Sequence, residues 1–451
     1  MSLVDLQWIL PTRETREGSM QRISNRQRQA RGDYAEAAEL LWSVKQDSGR
    51  LDLVLALQRY LIRSIAECEK RVPRLRKARA RCKRYLSRNR VSKERSGAIK
   101  NLIIALDQRI KFLHHTIFLW RCFGDGIPFI YQSKYSLKHL FYDSDYRPKQ
   151  GPGFISGKTG FRNEYKLLRK GIDMNVPVVL SDITNVIRHG DLCALAGREP
   201  LMVEMKSSRN SNARMERQIS GMQEIAQFLK DDYAHSFRGM RHVQRVEVLP
   251  NEIEHSASMN ECMRDALAGG FAVRHPEVGL TYLAFNKQFA DDMSRVDALI
   301  EKFVEHGKVT YFLSPDESWL PAYPFTLSLE PSNLVPFMHR SIHAAVIIDA
   351  LVIKRSLAEQ GMTAWGLMDG TWSFQIAVNE GEPSQSMFRV SEQNLGRVAC
   401  EFQSLEWWIS AQLSLWKENA DAPANFEDGP YEEVPKNWIE TTCCFAIKGI
   451  A

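Results

Sequence analysis

The segment GDLCALAGREPLMVEMKSS, residues 190–208, reads as two short apolar strands joined by a Gly197-Arg198-Glu199-Pro200 turn. Asp191 opens the first strand, expected over Asp191–Ala196, while Glu204 and Lys206 stand two apart at the end of the second, expected over Leu201–Lys206. Strand side chains alternate, so Glu204 and Lys206 share one face and Met205 takes the other. A hairpin of this length brings Asp191 alongside them. Two carboxylates held that close repel, and a bound divalent cation is the best reason for keeping both; hard oxygen ligands select Mg²⁺ or Mn²⁺. An ammonium beside them is placed to hold a water for attack on a phosphodiester.

The flanking sequence extends the pattern. A helix from Phe161 to about Lys170 and an apolar strand, Val176–Leu180, precede the hairpin, and a helix near Ala213–Lys230 follows it. Asp191, Glu204-Met205-Lys206 and this element order resemble the PD-(D/E)XK, or restriction-endonuclease-like, nuclease superfamily over about Gly160–Phe285. The resemblance implies a mixed sheet flanked by helices, metal binding by Asp191 and Glu204, and water positioning by Lys206. It further implies supporting catalytic roles for Glu164 on the preceding helix and Gln218 on the following one. Gly190 stands where the name-giving Pro would be, and Met222 replaces the Tyr of the QxxxY pattern. A second triplet, Glu164-Tyr165-Lys166, lies in a polar helical stretch and lacks the strand context.

Other residues carry weaker signals. Asp182, in SDITN after a strand, suits a turn better than a metal site. His189 alternates onto the face of Asp191, where a structural role and a substrate contact are both open. Lys158 in GFISGKTG lacks the first Gly of GxxxxGK[ST] at its spacing, which argues against an ATPase. Arg109 and His114 form an R-x4-H pair on a helix, similar to the motif of HEPN ribonucleases.

Charge is unevenly spread. The 451 residues carry a net +6, yet residues 71–100 alone hold thirteen Lys or Arg against one Glu, leaving −6 for the rest. Such a segment is the footprint of a polyanion-binding arm, with Arg76, Lys77, Arg81, Lys83, Arg84 and Arg88 as its candidate contacts. Apolar residues at helical spacing over Leu51–Leu86 and Ile99–Phe118 predict an antiparallel helical hairpin, with a kink or break at Pro73 and an end at Gly124-Asp125-Gly126-Ile127-Pro128.

Further on, Val246–Leu249 and Leu280–Phe285 are expected to extend the central sheet. The last third alternates strand candidates (Thr310–Leu313, Ser373–Val378, Phe388–Val390) with two apolar helices, Ile342–Leu357 and Leu395–Trp416. The resulting expectation is an α/β protein in three parts: a basic helical region 1–125, a nuclease-like domain 126–290 and a C-terminal α/β domain 291–451.

Composition, at 44% hydrophobic and 25% charged, excludes disordered and fibrous classes. No apolar run approaches the length of a membrane span, and the eight scattered cysteines suggest neither a disulfide framework nor zinc. The sequence thus leads to a cytoplasmic, Mg²⁺- or Mn²⁺-dependent nuclease acting on nucleic acid, DNA favoured over RNA. Its layout is analogous to prokaryotic antiviral defence effectors, with a homodimer or a defence-system partner protein as candidate assemblies. The alternatives are a HEPN-like ribonuclease centred on Arg109 and His114, and a non-catalytic nucleic-acid-binding subunit.

Overall fold

The computed structural model describes residues 34–205, 213–245, 251–303, 307–377 and 387–418. Helix α1 (34–46) leads into two long helices, α2 (Leu51–Arg88) and α3 (Lys93–Tyr131), which pack against each other as the antiparallel hairpin that their periodicity predicts. On α2, Val54, Leu57, Leu61 and Ile65 are fully buried at three- and four-residue spacing, each contributing about 1.5–3 kcal/mol of burial. Ser92 caps α3 by accepting the Arg95 backbone N–H at 3.3 Å.

Two expectations for the hairpin fail. Of the kink or break expected at Pro73, the break is absent, since α2 runs through it as one helix, and α3 continues seven residues past Gly124 with Pro128 inside it. The glycines there serve close packing: a Cβ on Gly124 would lie 1.9 Å from the Ile183 carbonyl oxygen, and one on Gly126 would meet Leu41 at 2.6 Å. Residues 117–129 of α3 are buried on every side, so helix continuity is maintained by surroundings that composition alone does not reveal.

After α4 (Lys134–Leu137) and a long loop come α5 (Phe161–Asp173) and an antiparallel meander of β1 (Val178–Leu180), β2 (Leu192–Ala194) and β3 (Leu201–Val203). Helix α6 (Ala213–Asp231) then packs mainly on the hairpin of β4 (Tyr233–Phe237) and β5 (Met240–Gln244). The proposed strand Val246–Leu249 lies outside the described residues.

The third part begins earlier than its sequence boundary. Helix α7 (Ser256–Gly269) covers β6 (Phe271–Glu277) and β7 (Leu280–Asn286), and β7 pairs with β9 (Ile342–Asp349), not with the meander. The sheet order β6-β7-β9-β8, with β8 at Lys308–Leu313, therefore crosses the expected division at 290/291. The short helices α8 (Lys287–Ala290), α9 (Met293–Glu301), α10 (Phe325–Ser328) and α11 (Pro331–Met338) lie along these connections.

The expected helix over 342–357 is instead strand β9 followed by α12 (Ala350–Ala358). Ala344-Ala-Val-Ile-Ile is buried between two antiparallel neighbours, which suits a run ending in β-branched residues. A second small sheet, β10 (Thr363–Gly366), β11 (Trp372–Ala377) and β12 (Met387–Ser391), is antiparallel throughout. The last expected helix divides into α13 (Glu392–Cys400) and α14 (Leu405–Glu418) around Phe402, whose φ of +54° no helix accommodates.

The three parts share their interior. One contiguous cluster of buried side chains runs from Tyr34 to Ala411. Buried Glu401 ties α4 to the C-terminal part, accepting from Lys134 Nζ at 2.6 Å, Arg397 at 2.8 Å and the Tyr323 backbone N–H at 3.0 Å. No described helix is long and apolar enough to cross a membrane.

Candidate carboxylate centre and basic hairpin

The meander's register builds the site. Leu192 faces Val203 and Cys193 faces Met202, so one step further Asp191 stands opposite Glu204; the Asp191 N–H donates to the Val203 carbonyl at 2.8 Å. On the other side the Ser181 N–H donates to the Asp191 carbonyl at 3.0 Å, which brings the turn at Ser181–Ile183, and with it Asp182, to the same end of the sheet. Gly190 makes this crossing possible. Its φ is +74°, and a Cβ there would lie 3.0 Å from the Val203 carbonyl oxygen, so neither Pro nor a residue with a side chain fits easily.

Helix α5 contributes Glu164, which is 2% exposed on the same face as fully buried Leu168. A Cβ on Gly160 would come within 2.9 Å of its Oε1. At the centre lies Lys158: its Nζ is 2.7 Å from Asp182 Oδ2, 2.9 Å from Asp191 Oδ1 and 3.0 Å from Glu164 Oε2. Lys158 is thus the residue that the sequence reading underused. Its signal was present in the SGKTG loop, but its partners are 6, 24 and 33 positions away.

The root of the helical hairpin holds that loop. Glu69 of α2 accepts the Ser156 N–H at 2.8 Å, and Arg121 of α3 donates to the carbonyls of Gly153 and Asp182 at 2.8 and 3.0 Å. Burial raises the pKa of Glu69, with Ser156 and Arg121 opposing the shift.

Electrostatically the cluster is acidic, with Lys158 as its one internal cation among the described residues. Burial opposes the charge on Lys158, but its hydrogen bonds to Asp182, Asp191 and Glu164 outweigh it and hold its pKa above the ordinary value. Glu164 is raised by burial in spite of the Lys158 contact, with nearby Asp191 adding to the shift. The two partners therefore shift in ways a simple ion pair would not produce, because burial dominates at the less exposed carboxylate. Glu204, half-buried, is raised by burial and then by Asp191, and makes no hydrogen bond among the described residues.

Of the five residues expected at the centre, Glu164, Asp191 and Glu204 are gathered, and Asp182 joins them. Lys206 lies outside the described residues. Gln218 is partly exposed on α6 and makes no hydrogen bond among the described residues. His189 is structural: Lys149 donates to its Nδ1 at 2.9 Å, leaving Nε2 to donate to the Tyr142 carbonyl at 3.0 Å, and burial, then Lys149, depress its pKa to about 4.

No group of three or more His, Cys, Asp or Glu stands at metal-holding spacing among the described residues. The carboxylates surround an ammonium instead. The donor set nevertheless suits a hard divalent cation: it is all oxygen, and the Glu204 carboxylate makes no hydrogen bond among the described residues. Asp191 and Glu204 would hold such an ion, with Asp182 and Glu164 at its edge.

The hairpin's far half is exposed. Arg76, Lys77, Arg81, Lys83, Arg84 and Arg88 all face solvent. Lys77, Arg81, Arg84 and Arg88 form one stripe at spacings of four, three and four, and none of the four has an ion pair among the described residues. Arg76 lies 3.2 Å from His114 Nε2, whose pKa is lowered by burial and then by Arg76, while Arg109 stacks over Phe112 at 5.1 Å. The R-x4-H pair is directed to separate neighbours. No family model, no curated protein and no solved structure matches this chain.

Proposed function

We propose that the protein is a metal-dependent nuclease of restriction-endonuclease-like type, hydrolysing phosphodiester bonds with Mg²⁺ or Mn²⁺ and acting on DNA in preference to RNA. The observation that carries this reading is the convergence of Glu164, Asp182 and Asp191 on a single cation position, with Glu204 across the strand from Asp191. Like charges directly opposite on neighbouring strands are destabilising, so an arrangement with no role for a cation would be selected against.

When bound, a divalent cation would supply positive charge at the scissile phosphate and acidify a water. The chain's own part is to hold and orient. Asp191 is fixed by the Met205 N–H, which donates to its Oδ2 at 2.9 Å, and the Glu204 carboxylate has no hydrogen-bond partner among the described residues. The exposed stripe on α2 would track a phosphate backbone, and the Glu69 and Arg121 contacts link that hairpin to the loop carrying Lys158. The layout of a compact centre between two accessory parts fits a defence effector by analogy alone. The neighbours described for the ribonuclease pair differ, His114 lying against Arg76 and Arg109 over Phe112, and no observation favours that alternative.

The test is cleavage of plasmid DNA, single-stranded DNA and RNA in Mg²⁺, Mn²⁺ or EDTA, by wild type, Asp191→Asn and Glu204→Gln. Metal-dependent cleavage lost in both folded variants is expected; cleavage in EDTA, or unchanged in either variant, refutes the assignment. Tight, salt-dependent binding without turnover under any divalent ion would point to the non-catalytic subunit.

A further inference from the structure

A cavity of about 420 Å³ lies away from the carboxylate cluster, between the turn after α4, strand β5 and helix α13. That volume falls within the range of small-molecule sites. We propose that it binds a nucleoside monophosphate group, either as a free nucleotide or as the 5′ end of a strand, with Lys138 receiving the phosphate and the tyrosines of its wall receiving the base.

Lys138 provides the anion recognition. Its side chain lines the cavity and makes no hydrogen bond or ion pair among the described residues. The carboxylate that could compensate it, Glu401, is engaged by Lys134 at 2.6 Å and Arg397 at 2.8 Å. Arg245 lines the same cavity but is neutralised by Glu199 at 2.6 Å and by Asp232. Lys138 is exposed to the cavity, while desolvation by the protein packed around it, followed by Arg397, lowers its pKa to about 8. It remains mostly charged at neutral pH, and an incoming phosphate would be its first partner.

The cavity lining also supplies flat surfaces. Tyr135, Tyr142 and Tyr146 line the cavity, and each is held: Arg397 lies over Tyr135 at 4.8 Å, Gln393 donates to the Tyr142 hydroxyl at 2.7 Å, and Arg238 lies over Tyr146 at 5.4 Å. Rings fixed in this way stack a base at little further entropic cost, and Gln244 and Gln393 offer amide edges to it. His139, also lining the cavity, is 5% exposed with no hydrogen-bond partner at Nδ1. Burial and then Lys138 depress its pKa to about 2, so it stays neutral and does not compete for the phosphate. The carbonyl of Tyr142 accepts from His189, two residues before Asp191, but the cavity itself stands apart from that centre.

Calorimetry on the full chain in EDTA, with AMP, GMP, CMP and UMP, inorganic phosphate, adenosine and a 5′-phosphorylated dinucleotide as titrants, tests the proposal independently of nuclease activity. Saturable one-to-one binding of at least one nucleoside monophosphate or of the dinucleotide is expected, and the two titrants distinguish a free nucleotide from a strand end. Phosphate and adenosine alone should each bind at least about tenfold more weakly. Lys138→Met, which keeps the aliphatic stem, should lose about tenfold or more, and Gln393→Glu, which sets a carboxylate in the cavity lining, should also weaken binding. Absence of saturable binding by every phosphorylated titrant, phosphate binding as tightly as a nucleotide, or unaltered affinity in both folded variants would overturn it.

Discussion

Replacing Lys158 by Met removes the one cation that, among the described residues, contacts Glu164, Asp182 and Asp191, while keeping its apolar stem. Deleting one partner of a buried charge pair costs about 3–5 kcal/mol. The Lys158 side chain is 28% exposed, so solvent screening reduces the expected loss to about 2–3 kcal/mol, a fall in Tm on the order of 5 °C. Because the wild-type Lys158 pKa is raised, its contribution is present throughout neutral pH and is lost only as pH rises through its alkaline folded value. The variant's defect should therefore be full at pH 8 and shrink towards pH 5, where the freed carboxylates take up protons. Divalent metal should reverse it: at about a hundred times its Kd, Mn²⁺ returns about 2.7 kcal/mol, and it should bind Lys158→Met more tightly than wild type because no ammonium has to be displaced. Thermal melts in EDTA and in Mn²⁺ at both pH values, with calorimetric Mn²⁺ titration, measure each quantity. A variant that melts like wild type in EDTA at pH 8 and binds Mn²⁺ no more tightly would refute the view that Lys158 balances the cluster.

Glu204→Gln should raise the Tm of the metal-free protein near neutral pH. Its raised carboxyl pKa means that stability falls as pH climbs from the unfolded value of about 4.3 towards the folded one, and melts from pH 4 to 8 should show that slope reduced in the variant. Gly190→Ala should cost about 1–3 kcal/mol, from its positive φ and the Val203 carbonyl 3.0 Å from the new Cβ; a melt unchanged within about 1 °C would show that the turn relaxes. Changing Arg76, Lys77, Arg81 and Lys83 to Gln should weaken nucleic-acid binding for every sequence and flatten the slope of log affinity against log salt, which changes by about 0.9 per duplex phosphate contact. Unchanged affinity and slope would mark the hairpin as a protein-docking surface.

Local pattern alone determined much of this protein. The α2/α3 hairpin follows from apolar residues at three- and four-residue spacing. The order helix, strand, hairpin, helix over 161–231 follows from period and turn chemistry, and Asp191 lies opposite Glu204 because the Gly197–Pro200 turn sets the register. These features are legible because each depends on residues within about one hairpin of one another.

Tertiary structure decided the rest. The α3 helix passes Gly124 and Pro128 because α1 and the 181–183 turn press on it, and Ile342–Asp349 is a strand because β7 and β8 bury both its edges. Lys158 joins Asp182 and Asp191 only because Glu69 and Arg121 pin its loop from helices far away in sequence. Periodicity reports which side of an element is apolar, whereas burial on all sides, a second sheet edge or an ammonium among carboxylates arises from partners that the local pattern does not encode.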